Sequence, residues 1–269
     1  MEAFFSYGFV QRALLAGIFV AIACALLGVF LILRRDAMIG HGLAHVAFAG
    51  VALGLFLNVI PLVAALIVAV LAALGIMKLK EKAGLYGDTA IAIFSSVGFA
   101  SGLLLVTFAH SFNVDLFGYL FGEILAIETT EVLLSIGLAG VVVLIVILNY
   151  HKFMYMTFDR DSAKVSGIRV DRLDVLLTIL TAITVVLGMK IVGLLLVAAL
   201  MVIPAAAGLQ LASSFKQAIL LSSFVALISV FFGLLMAFYF DFPASGTIVI
   251  LSFLIFGLFF AFKREKRLF

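Results

Sequence analysis

Nine apolar runs, each near the length that crosses a hydrocarbon core, take up most of this chain: 13–33, 37–57, 60–77, 89–109, 132–149, 174–189, 191–211, 217–240 and 244–262. A helix needs about 20 apolar residues to span a bilayer. Lipid offers no water to backbone N–H and C=O groups, so each run must satisfy its own, which a helix does. The expected fold is all-α: a polytopic integral membrane protein with about nine (eight to nine) transmembrane helices in a single domain over residues 1–269.

Composition agrees and narrows the function. Hydrophobic residues make up 66% of the chain, against roughly 45–50% in soluble domains. Charged residues make up 12%, about half the soluble norm. The runs leave no room for a soluble catalytic domain. The single cysteine, Cys24, sits in an apolar run and reads as a small buried hydrophobe, so a disulfide or a cysteine metal cluster within one chain is excluded. The first run is membrane length with no small-residue cleavage site after it, so a cleaved leader is not expected. The stretch 110–130 is left between two readings, an interfacial helix and a re-entrant one.

The basic residues orient the spans. With the C-terminus (Lys263, Arg264, Lys266, Arg267) in the cytoplasm, 15 of the 17 Lys and Arg fall on the cytoplasmic side, leaving Arg12 and Lys190 outside. Such an excess is what the positive-inside rule requires. The outer face then carries Glu2, Asp115, Glu123, Glu128, Glu131 and Asp241, a sign that concentrates cations and disfavours an anionic substrate. A solvated loop surface accounts for those carboxylates equally well.

Within residues 37–57 the only ionisable side chains are His41 and His45. Polar groups at that depth are costly and mark function. A spacing of four puts both imidazoles on one helix face, and neutral imidazole suits Zn, Cu, Fe and Ni better than Mg or Ca. Two readings stand side by side: metal ligands, or hydrogen bonds to a neighbouring helix. Zinc usually takes four ligands, so a metal reading implies two copies of the chain around a two-fold axis. Counted along the apolar run, His45 falls near the bilayer midplane. A membrane metalloprotease is disfavoured, because H-E-x-x-H needs a glutamate where Gly42 stands.

The longest hydrophilic connection, about 150–173, contains FDRDSAKVSGIRVDRLD. Asp159 or Asp161 can cap a short helix there, and Gly167 supplies its stop. That element reads either as a loop with one helical turn or as a docking site for a cytoplasmic partner. No G-x-x-x-x-G-K-[ST] phosphate loop occurs, so the chain is read as no ATPase, and any ATP-driven action is supplied in trans.

Five collinear segments carry a resemblance: LRRDAMIGHGLAHVAFAGVALG, YGDTAIAIFSSVGFASG, FDRDSAKVSG, KIVGLLLVAALMVIPAAAG and FPASGTIVILSFLIFGL. Together they resemble the permease subunits of zinc/manganese-type ABC transporters over roughly residues 10–262. The resemblance implies a multi-pass permease of the prokaryotic inner (cytoplasmic) membrane that homodimerises in the lipid bilayer. It also implies two cytoplasmic ABC ATPase subunits and an extracytoplasmic metal-binding protein as partners, with no nucleic acid and no tightly bound cofactor beyond the transported metal. Residues 161–167 match the family's coupling helix, giving Asp161, Ala163 and Gly167 the role of ATPase coupling. His45 matches the family's intramembrane metal ligand. His41 stands where many members, notably manganese importers, carry aspartate, which favours zinc over manganese. A manganese or iron permease (including chelated iron) and a stand-alone metal channel or secondary carrier are the competing expectations.

Overall fold

The structure is a computed structural model describing residues 6–83, 87–108, 118–120, 122, 129–194 and 196–266. Among the described residues every long regular element is an α-helix. In chain order they are α1 (Gly8–Leu33), α2 (Ile39–Phe56), α3 (Pro61–Ala83), α4 (Gly87–Phe108), α5 (Thr129–Leu148), α6 (Tyr150–Phe158), α7 (Arg160–Val165), α8 (Val170–Val192), α9 (Val197–Leu211), α10 (Phe215–Phe240) and α11 (Ala244–Lys266).

Each of the nine apolar runs coincides with one helix, but the run at 191–211 is divided. Gly193, at φ 83°, breaks the chain after α8, and α9 keeps only 15 residues. At 1.5 Å per residue that is about 22 Å, short of a hydrocarbon core about 30 Å thick. Among the described residues, eight helices are long and apolar enough to cross a membrane, and α9 is a shorter apolar helix. Of the 110–130 stretch, only residues 118–120, 122 and 129–130 are described, so the choice between interfacial and re-entrant lies mostly outside them. The backbone carbonyl of Tyr119 accepts from Leu194 N–H at 3.0 Å, so Tyr119 sits against the α8–α9 break.

Tight reversals join the early helices. α1 ends with Arg35 in the left-handed region at φ 61°, and Asp36 N–H reaches back to the Leu31 carbonyl. α2 ends in the same way on Asn58 (φ 54°), with Val59 N–H bonded to the Gly54 carbonyl. This pairing satisfies carbonyls that a helix end leaves free. Short turns force α1, α2 and α3 into antiparallel order.

The best-packed helices form the interior. In α1, α2 and α8, 72% of the most apolar window is buried, against 22% in α4, 28% in α5 and 17% in α11. The outer helices therefore turn broad apolar faces outward, as lipid-facing helices do. α2 lies between α3 and α4 and also touches α8 and α9. Small residues permit that fit. A Cβ at Gly50 would lie 2.5 Å from Ala65 Cα of α3, and one at Gly102 of α4 would lie 2.5 Å from Phe48 Cδ1 of α2. Close helix approach through small side chains is the usual basis of association in lipid.

Candidate functional site

From Ile39 to Ala52 every residue of α2 is buried except two, His41 and His45. His41 is exposed and His45 half-buried, and Met38 just before the helix extends the same stripe. The helix begins at Ile39, two residues into the apolar run, because the Arg35 reversal occupies the residues before it. His45 therefore lies about 9 Å along a helix about 27 Å long, closer to the helix's middle than to its end.

The two imidazoles meet each other. His41 Nε2 and His45 Nε2 stand 3.1 Å apart, and the rings are edge-on with centroids separated by 4.6 Å. Phe99 of α4 packs edge-on against His45 at 5.2 Å and tilts against Phe48 at 5.3 Å, closing one side of the His45 ring. Neither histidine hydrogen-bonds to a neighbouring helix among the described residues, and His45 Nδ1 is buried without a partner there. The reading of the pair as a helix-to-helix hydrogen bond therefore has no support in the geometry. Two Zn–N bonds of tetrahedral geometry place their nitrogens about 3.3–3.4 Å apart. The observed pair needs only a few tenths of an ångström to hold one ion. Among the described residues no third His, Cys, Asp or Glu joins them.

At the end of the molecule where α1 finishes, the hydrophilic connection is folded. Asp159 caps α7 by accepting from Ser162 N–H at 2.9 Å. Hydrogen bonds from Ser162, its hydroxyl first and then its backbone N–H, hold the Asp159 carboxyl below the ordinary carboxylate range. The cap is thus intact at neutral pH and is lost only as pH falls through that lowered value. Of the two candidate caps, Asp159 takes the role, and Asp161 lies in the first turn, exposed. The stop is a reversal on Gly167 at φ 82°, with Ile168 N–H bonded to the Ala163 carbonyl at 3.1 Å and Gly167 N–H to the Lys164 carbonyl at 3.0 Å. Ala163 is fully buried within this chain and seats the helix, while Asp161, Lys164 and Val165 beside it are exposed. Val165, 91% exposed, is the apolar knob that projects from α7.

A valine at position 167 would be forced into the left-handed region, at roughly 1–2 kcal/mol. Gly167→Val is expected to fray the end of α7, read as faster amide exchange at Ile168. Exchange in α10 should not change.

An ion network, which the sequence did not single out, surrounds this element. Asp174 of α8, its side chain 2% exposed, accepts from Arg34 through Oδ1 and from Arg160 Nη2 through Oδ2 at 2.6 Å. Asp36 accepts from Lys80 Nζ at 2.8 Å, with Arg34 Nη2 at 3.9 Å. Arg160 and Lys164 also face Asp171, at 3.2 and 3.7 Å. The one signal available was a carboxylate at the head of the apolar run 174–189 beside a basic cluster.

The opposite end carries Tyr7, whose ring meets Phe238 at 5.6 Å, and Arg12, whose Nη1 donates to Thr129 Oγ1 at 3.4 Å. Of the six carboxylates expected on that face, Glu131 and Asp241 are described. Glu2, Asp115, Glu123 and Glu128 lie outside the described residues.

Comparison with known proteins places this arrangement. The profile described as "ABC 3 transport family" matches residues 6–263. The "Manganese transport system membrane protein MntC" of Listeria innocua is 31% identical over 268 residues, all of this chain and 95% of the relative. The "High-affinity zinc uptake system membrane protein ZnuB" of Haemophilus influenzae is 34% identical over 255 residues, 94% of this chain and 97% of the relative. The solved structure "PsaBC from Streptococcus pneumoniae in complex with Fab" superposes with a TM-score of 0.87 at 32% identity, covering 96% of this chain and 93% of that one. With eight membrane-length helices, a paired-histidine helix and a family match spanning nearly its whole length, the chain belongs to the ABC 3 transport family.

Proposed function

We propose that this chain is the membrane-spanning permease of an ATP-driven importer of divalent metal ions, with zinc as its cargo. The observation that carries the reading is the self-paired His41/His45 stripe, exposed at His41 and half-buried at His45, on a helix buried elsewhere from Ile39 to Ala52. An imidazole facing lipid is costly, so this stripe faces protein or a wetted path. A second copy of the chain placed across it would bring a second pair, giving the four nitrogens that zinc prefers.

The rest of the machine follows from the two ends. The end bearing the ion network and α7 is cytoplasmic by the positive-inside rule, and α7 with its projecting Val165 docks a cytoplasmic ABC ATPase. The opposite end receives the ion from an extracytoplasmic metal-binding protein. Import then proceeds by alternating access, in which ATP binding and hydrolysis in the partner move α7 and, through the packed interior, α2. The chain contributes the path and its ligands, with no ATPase site of its own, in the membrane of a prokaryotic cell.

The relatives' names divide among manganese, zinc and chelated iron, and His41 is the residue that separates zinc from manganese in this reading. Imidazole is the softer ligand and carboxylate the harder one. The test is competition uptake in proteoliposomes holding the permease with its ATPase. His41→Asp is expected to shift the zinc-over-manganese preference toward manganese by about tenfold or more. An unchanged preference would remove His41 from the metal site and leave zinc without support.

A further inference from the structure

Five side chains from five places in the fold form one chain of alternating charge: Arg160⁺, Asp174⁻, Arg34⁺, Asp36⁻ and Lys80⁺. Arg160 is the first residue of α7, the exposed element proposed to dock the ATPase. Asp174 lies in the second turn of α8. Arg34 closes α1, Asp36 sits in the reversal leading into α2, and Lys80 lies in the last turn of α3. Asp36 also belongs to α2's foundation, because its carbonyl accepts from Ile39 N–H at 3.0 Å. His41 comes two residues later.

Asp174 is the hub. Its two oxygens hold different guanidiniums, one from the docking element and one from the interior helix α1. Its 2% exposure removes the screening that makes surface pairs weak. Removing one partner of a buried pair leaves the others uncompensated, so the carboxylate cannot be neutral in its effect. By contrast, Arg160 is half-exposed, at 49%, and its loss disconnects α7 without opening the core. A network needed only for stability could sit anywhere along the helices. This one starts on the docking element and passes the base of the histidine helix on its way to α3.

We propose that Asp174 is a positioning residue that transmits movement of α7 through Arg34 and Asp36 to α2, and so to the His41/His45 pair. The relay rests on the permease reading for its purpose, because that reading supplies the ATPase that moves α7. Arg160 is the input, Lys80 ties α3 to the same point, and the buried carboxylate makes the connection stiff. The relay touches no cargo and acts only through the helices it joins.

The test uses the complete permease–ATPase complex in nanodiscs, with spin labels on Met38→Cys at the base of α2 and on Ser213→Cys just before α10. Cys24 is fully buried and does not take up label. Addition of a non-hydrolysable ATP analogue is expected to change the label distance in the otherwise unmodified complex and in Arg160→Lys, but not in Arg160→Gln or Asp174→Asn. Metal imported per ATP hydrolysed by the Arg160→Gln complex should fall about tenfold, a usual size for coupling between sites. Where Asp174→Asn fails to assemble, Arg160→Gln carries the test alone. A distance change and a transport ratio in Arg160→Gln equal to those of the unmodified complex would overturn the relay. The distance readout needs no cargo. An Arg160-dependent distance change in a complex that imports no metal would therefore sustain the relay and sink the metal-importer reading.

Discussion

His45→Ala is expected to reduce ATP-driven zinc uptake to the level of liposomes without transporter, a loss of more than about a hundredfold. Changes around a metal ligand cost about 10- to 100-fold on their own, and here the ligand itself is removed. His45 faces Phe99 and His41, with its Nε2 3.1 Å from the other imidazole, so its truncation leaves one nitrogen where two had converged. The variant should still fold. α2 is held by contacts on faces that His45 does not occupy, and a smaller side chain beside Phe99 leaves the Gly50–Ala65 seam intact. Uptake of zinc by proteoliposomes, normalised to the amount of assembled permease–ATPase complex, is the measurement. Near-normal uptake in His45→Ala would take the pair out of the path.

Gly50→Val is expected to cause the largest loss of stability, about 3 kcal/mol or more, seen as a lower melting midpoint and reduced yield of folded protein. In a free helix, replacing glycine stabilises by roughly 0.5–1 kcal/mol. At position 50 the sign reverses. The first carbon of any side chain would lie 2.5 Å from Ala65 Cα and 3.1 Å from the Ala64 carbonyl oxygen. Both are backbone atoms, which cannot rotate away. Overpacking a tight interior costs typically 1–3 kcal/mol and at times more, and here α2 and α3 would have to separate along their seam. Gly140→Val on α5 is the control, because a Cβ there meets nothing within 4 Å. Equal midpoints for the two variants would contradict the seam.

The membrane-spanning character of the chain was legible because hydropathy is a property of whole segments, and each apolar run became one helix. The interruption at Gly193 was not, because a single glycine in an apolar run is the same letter whether it packs or breaks. The reversals on Arg35 and Asn58 escaped for a related reason, since their left-handed backbone is imposed by helix ends and not by residue type. At the site, the i, i+4 spacing correctly put His41 and His45 on one face. Sequence could not show that every neighbour on α2 is buried, which is what makes the pair's exposure informative. The short helix α7 was legible from a capping aspartate, Asp159 or Asp161, and from Gly167, a stop, because those signals are local. Asp174 was missed because its partners, Arg34 and Arg160, are distant in sequence and only the fold brings them together. Ala163 was correctly placed on the helix, yet its burial against this chain's own core depends on how α7 lies on its neighbours.

The central claim, that one ion is held between His41 and His45 on its way through the membrane, is tested most directly by X-ray absorption spectroscopy of the zinc-loaded permease–ATPase complex. A first shell containing at least two imidazole nitrogens at about 2.0–2.1 Å is expected, lost when both histidines are replaced by alanine. Stoichiometric zinc with the same imidazole shell in the doubly substituted complex would contradict it.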